Sequence, residues 1–160
     1  MVLPIEWLNE FVSTEGIDIK SFCDRMTATG SKVEGYEQLG ADIENVVAGR
    51  VLSVVPHPDS DHMVICMIDC GEESPRQIVT GAQNVVEGAM VPVCRAPAKL
   101  PGGIVIKKGK LRGVESDGML CSIAELGLTK HDVPYAVDDG ILLLEEACEP
   151  GDDIRRVLRL

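Results

Sequence analysis

VVAGRVLSVVPHPDSDHMVICMIDCG, residues 46–71, decides the fold. Two β-branched and aliphatic runs, VVAGRVLSVV and MVICMID, flank PHPDSD, whose Pro, Asp and Ser supply turn chemistry. The pattern continues downstream through QIVTG (77–81), AMVPVC (89–94), GIVIKK (103–108) and GILLLEE (140–146). Between these runs stand CGEESP, GAQN, PAKLPGG and ESDG, all turn compositions. Short strands with no long helix among them predict a closed barrel, because closure removes exposed sheet edges. SIAELGL (122–128) adds one helical turn or two.

Toward the N-terminus the periodicity changes. LPIEWLNEFV places Pro4 where a first helical turn tolerates it, and Ile5, Leu8, Phe11 and Val12 recur at three- and four-residue steps. After Gly16, Asp18 can cap a second helix whose Phe22, Cys23 and Met26 share a face and which Gly30 can end. A strand-like SKVEGYEQL follows. Two helices are too few for a core, so residues 1–40 read as the first part of a small subdomain, with the barrel over 41–148. Residues 149–160 open a helix capped by Asp152 or Asp153 that has nothing yet to pack on, and the remaining partners of these helices are expected beyond Leu160.

The chain's 160 residues can bury roughly 70% of the unfolded surface, so disulfides are not needed for stability. The six cysteines are scattered and mostly inside apolar runs, which suits reduced, buried thiols. No basic leader precedes an apolar core at the start, and no apolar run approaches the roughly 20 residues that span a bilayer. These features predict a soluble cytoplasmic protein with no membrane partner.

Catalytic chemistry is hard to find. HPDSDH gathers His57, Asp59, Asp61 and His62, but the histidines stand five apart and no CxxC completes a zinc site, so a hydrogen-bonded turn is the expectation. Ser116 in GVESDG lacks the nucleophile-elbow pattern and reads as part of a turn. No phosphate-cradling GxxxxGK[ST] is present. No catalytic residue, metal or cofactor is expected in this chain.

Charge offers one local feature. The net charge of −11 argues against a general nucleic-acid binder and against DNA as a partner. Yet RAPAKLPGGIVIKKGKLR, residues 95–112, holds six basic residues and no acid. At physiological salt the Debye length is about 8 Å, so distant carboxylates scarcely weaken a patch on one side of a barrel. Lys99, Lys107, Lys108, Lys110 and Arg112 are the candidate RNA contacts. Between Val46 and Glu145 the one aromatic residue is Tyr135, so contact should run through phosphates with little base stacking. Three neutralised phosphates would give a log–log salt slope of roughly −2 to −3.

VVAGRVLSVVPHPDSDHMVICMIDCG, QIVTGAQNVVEGAMVPV and LRGVESDGMLCSIAELGL together resemble the tRNA-binding OB-type barrel shared by the endothelial-monocyte-activating polypeptide group, some methionine–tRNA ligases and phenylalanine–tRNA ligase beta subunits. LPIEWLNEFV, followed by a helix and VEGYEQLG, resembles the start of the phenylalanine ligase beta subunit. The resemblance implies an α+β, mostly β fold in which a five-stranded barrel is inserted into a small α/β N-terminal subdomain. It implies a parent that attaches phenylalanine to its tRNA with ATP and magnesium, in an alpha2beta2 tetramer with an alpha subunit. Within that parent this segment would be a non-catalytic accessory module. His62 and Met63 stand where Lys and Leu are usual, and Thr80 replaces a frequent Cys, so one phosphate contact is missing. A free-standing tRNA-binding barrel, a methionine ligase appendage, and a protein-interaction scaffold without RNA contact are the alternatives.

Overall fold

A computed structural model describes residues 2–160; Met1, counted above with the first subdomain, lies outside the described residues. The chain divides into two compact units, one ending at Gln38 and the other spanning Leu39–Leu160.

The first unit holds α1 (Ile5–Asn9) and α2 (Ile19–Ala28). Asp18 caps α2, accepting from the Ser21 N–H at 2.9 Å, and its bonds to Ser21 hold the carboxyl below the ordinary aspartate value. Phe22, Cys23 and Met26 are half-buried, as their spacing requires, together with Ile19, and none is fully buried. SKVEGYEQL is irregular backbone. A strand needs an edge to pair with, and among the described residues this unit has no other strand.

The second unit is built on β1 (Glu44–Pro56), β2 (Val64–Asp69), β3 (Arg76–Thr80), β4 (Met90–Leu100), β5 (Ile104–Ile106), β6 (Gly109–Leu111), β7 (Val114–Ser116) and β8 (Gly118–Leu120). All ladders are antiparallel. The sheet runs β3-β2-β1-β4-β5, β8 also pairs with β4, and β6 with β7 makes a separate hairpin. Five strands go round a nearly closed barrel: β1 to β4 and the kinked β7–β8 strand. The seam lies between β3 and that last strand, where the Asp117 N–H donates to the Gln77 carbonyl at 2.8 Å. Ser116 also works there instead of in a turn: its hydroxyl accepts from the Val79 N–H and donates to the Gly118 carbonyl, both at 3.0 Å. At the start of β1 the ladder shifts, and Asn45, with φ 59, donates from Nδ2 to the carbonyls of Arg95 and Pro97.

Strand alternation sorts the apolar residues into two layers. Val47, Val51, Cys66, Ile68, Ile78, Val91, Val93 and Leu120 fill the barrel. Gly49 also faces inward, since a Cβ there would meet Ile68 and Val93 at 2.7 Å. The opposite face of β1 and β4, with Val46, Ala48, Cys94 and Leu100, is covered by chain downstream of Leu120. SIAELGL gives one turn, its Leu126 N–H donating to the Ser122 carbonyl while Glu125 caps Ser122. GILLLEE is extended but forms no ladder, attached by the Leu142 N–H to Cys121 and the Leu144 N–H to Met90.

The C-terminal helix α3 (Ile154–Val157), capped by Asp153, does have packing partners. Ile154 is fully buried in the outer layer, and the Ala48 N–H donates to the Asp152 carbonyl at 2.8 Å. Ile154→Ala is therefore expected to cost about 2 to 5 kcal/mol in a denaturant titration. A loss under about 0.5 kcal/mol, the size usual for surface changes, would contradict this packing.

The six cysteines are free thiols. Burial pushes Cys66 and Cys70 up to about 11, away from the reactive thiolate, and Cys94 and Cys121 meet inside the outer layer.

Candidate nucleic-acid interface

The basic run folds into the end of β4, β5 and the β6–β7 hairpin. At the hairpin tip Arg112 and Gly113 both have positive φ, 46 and 84, the pattern of a type I′ turn that matches strand twist. Arginine is an unusual occupant of that position, and its guanidinium is held: Nη1 donates to the Asp59 carbonyl at 3.2 Å. The neighbouring Leu111 carbonyl lies 3.0 Å from His57 Nε2, while His57 Nδ1 accepts from the Asp59 N–H at 3.0 Å. Those partners assign the Nε2–H tautomer. His57 is buried, and its backbone N–H donates to the Met63 carbonyl. HPDSDH is thus a hydrogen-bonded turn, and it pins the hairpin tip to the β1–β2 loop. No group of three or more His, Cys, Asp or Glu converges among the described residues.

Folding brings carboxylates to most of the cations. Lys99 on β4 stands opposite Glu44 on β1 in the ladder, and its ammonium reaches that carboxylate at 2.9 Å. Lys110 on β6 stands opposite Glu115 on β7, at 4.0 Å. Lys108, between β5 and β6, lies 2.9 Å from Asp117 Oδ2. Asp117 Oδ1 is 3.1 Å from Arg76 Nη1, an ion-pair distance off the line of a hydrogen bond. Arg76 in turn holds Glu72 by two bonds and keeps its carboxyl below the usual range, and Arg95 approaches Glu72 at 3.6 Å. Lys107 and Arg112 have no carboxylate partner among the described residues. A cleft of about 550 Å³ opens between β3 and the hairpin, lined by Arg76, Gln77, Lys108, Lys110, Glu115 and Asp117.

Sequence reading found the cations but missed their partners and the His57 pin. Glu44 is 55 residues from Lys99, and Glu115 and Asp117 fall just past the end of the acid-free run. Tyr135 is no stacking platform. Its ring is half-buried against the outer layer, and its hydroxyl donates to Glu146. Burial first, and that bond second, raise its pKa. His62 is exposed on the β1–β2 loop, and the Thr80 hydroxyl accepts from the Ala82 N–H. No helix of the described residues is long and apolar enough to cross a membrane.

The chain is 46% identical over all 160 residues to the phenylalanine–tRNA ligase beta subunit of Clostridium acetobutylicum, and 42% identical over the same length to that of Staphylococcus epidermidis. It spans 20% of the length of each. Among solved structures it is similar to a MetRS related protein from Pyrococcus horikoshii, with 18% identity and a TM-score of 0.46, over 87% of this chain and 97% of that one. A family model described as "Putative tRNA binding domain" matches residues 46–153, which takes in the barrel, the basic hairpin and the cap of the C-terminal helix, and by that match the chain belongs to the tRNA-binding domain family.

Proposed function

We propose that this chain is an accessory, non-catalytic module of a phenylalanine–tRNA ligase beta subunit and that it contributes a weak, phosphate-directed contact to tRNA. The family match over the barrel carries this reading, supported by the whole-chain similarity to beta subunits. The parent would attach phenylalanine to tRNA with ATP and magnesium in a cytoplasmic alpha2beta2 tetramer, with the chemistry outside this chain. Residues 1–40 would belong to a subdomain that the chain rejoins after residues 149–160.

Lys107 and Arg112 would make the first phosphate contacts, because neither must leave a carboxylate to do so. Lys99, Lys108 and Lys110 would add contacts only by exchanging one anion for another. The barrel offers no exposed aromatic ring for stacking, so non-cognate tRNA should bind nearly as well as cognate tRNA. The ion-paired cations also favour a second reading, a scaffold for other subunit domains that never meets RNA. A titration of labelled tRNA across salt separates the two. Two phosphate contacts give a log–log slope of roughly −1.4 to −1.8, shallower than three would give. A wild-type chain that binds no tRNA even at low salt would leave the scaffold reading.

A further inference from the structure

The fold delivers a carboxylate to three of the five candidate cations, and two of those deliveries are set by strand register. Glu44 faces Lys99 across the β1–β4 ladder, and Glu115 faces Lys110 across the β6–β7 hairpin. Cross-strand neighbours have their Cβ atoms about 4.5 to 5.5 Å apart, so each carboxylate stays within reach of its ammonium however the side chains move. The third, Asp117, is held by Arg76 on β3, which Glu72 fixes in turn, and it meets Lys108 at the mouth of the cleft. All three lysines are more than half exposed, so water and a phosphate reach them as readily as the carboxylates do.

We propose that Glu44, Glu115 and Asp117 are built-in competitors of RNA phosphate for Lys99, Lys110 and Lys108, so that the fold itself limits how tightly tRNA is held. This rests on the reading that the basic run contacts tRNA. It also assigns roles which that reading leaves open: Lys107 and Arg112 engage first, and the paired lysines engage only as their carboxylates let go. Arg76 is a positioning residue here, since it aims Asp117 and its own guanidinium is mostly buried.

The test compares two double variants that each remove two negative charges. Glu44→Gln with Glu115→Gln frees two lysines of the run. Glu34→Gln with Asp138→Asn breaks two ion pairs outside it, with Lys32 and Lys130. Labelled tRNA is titrated into each chain at low salt and near 150 mM, where the Debye length is about 8 Å. Exposed pairs of this kind are each worth about 1.5- to fivefold, so the first variant, which releases two, should bind about two- to twenty-five-fold more tightly than wild type. Its salt slope should steepen by about 1 to 2, from two further released contacts. The second variant should stay within about twofold of wild type with an unchanged slope, because neither of its carboxylates pairs with a cation of the run. Equal gains in both variants, or no gain in the first while wild type still binds, would overturn the competition and leave the tRNA reading standing. If wild type and both variants bind no tRNA at low salt, both readings fall together.

Discussion

Gly118→Ala is expected to cost about 3 to 5 kcal/mol and to lower the unfolding midpoint by roughly 10 to 15 °C. Gly118 sits at the kink between β7 and β8 with φ 135, a backbone conformation that side-chain-bearing residues rarely adopt. A Cβ there would lie 2.2 Å from the Cys94 carbonyl oxygen, a backbone atom that cannot swing aside. Relief would require parting β8 from β4, where Gly118 pairs with Arg95, or shifting the seam at which Asp117 and Ser116 meet β3. Gly109→Ala is the control. It lies on β6 of the neighbouring hairpin, adopts no left-handed angle and has open space around its would-be Cβ, so its midpoint should move by no more than about 2 °C, as for an ordinary surface change. A Gly118→Ala variant that melts with the control would refute the barrel closure described above.

Gly118 also shows where sequence reading stops. ESDG has the composition of a turn, but Ser116 and Gly118 belong to the strand that closes the barrel, and the kink spares that strand a clash with β4. The β-branched runs at 46–55, 63–69, 77–81 and 89–94 were legible because each turns an apolar face into the barrel, and on β1 and β4 the other face meets a second apolar layer. SKVEGYEQL and GILLLEE look equally strand-like in composition, yet ladder formation depends on a partner edge, which local composition does not encode. The caps of α2 and α3 were legible: Asp18, and Asp153 of the two aspartates offered, accept the N–H bonds their positions promise. The C-terminal helix looked unpartnered because Ile154 packs on strands some hundred residues earlier, a long-range contact with no local signature.

Charge in the candidate interface follows the same logic. A window from Arg95 to Arg112 contains no acid, but β pairing is non-local, and the ladders return Glu44 and Glu115 to the lysines they face. Segregation along the chain is therefore reduced in space to two cations of the run without a carboxylate partner among the described residues, Lys107 and Arg112. The buried His57, which composition marked as a turn residue, ties one of these to the β1–β2 loop through the Leu111 carbonyl.

Replacing Lys107 and Lys108 together by Glu should have the largest effect on binding. Lys107 is exposed and has no ion-pair partner among the described residues, so its reversal removes a first contact and adds a repelling charge. Lys108 is the cation that covers Asp117, and its reversal leaves two carboxylates facing any approaching phosphate. With only about two phosphates engaged by wild type, at Lys107 and Arg112, the variant loses one contact outright and adds two negative charges to the run, which exceeds what the remaining contact sustains. Both side chains are exposed, so stability should change by no more than about 0.5 kcal/mol, apart from the small like-charge term at Asp117.

The most direct measurement is a titration of labelled tRNA into the wild-type chain and the Lys107→Glu, Lys108→Glu double variant at low salt and again at about 150 mM, where surface charges are largely screened. Wild type should bind at low salt and weaken with the shallow slope of two contacts, while the folded double variant should show no measurable binding. A double variant that binds as tightly as wild type would contradict the account.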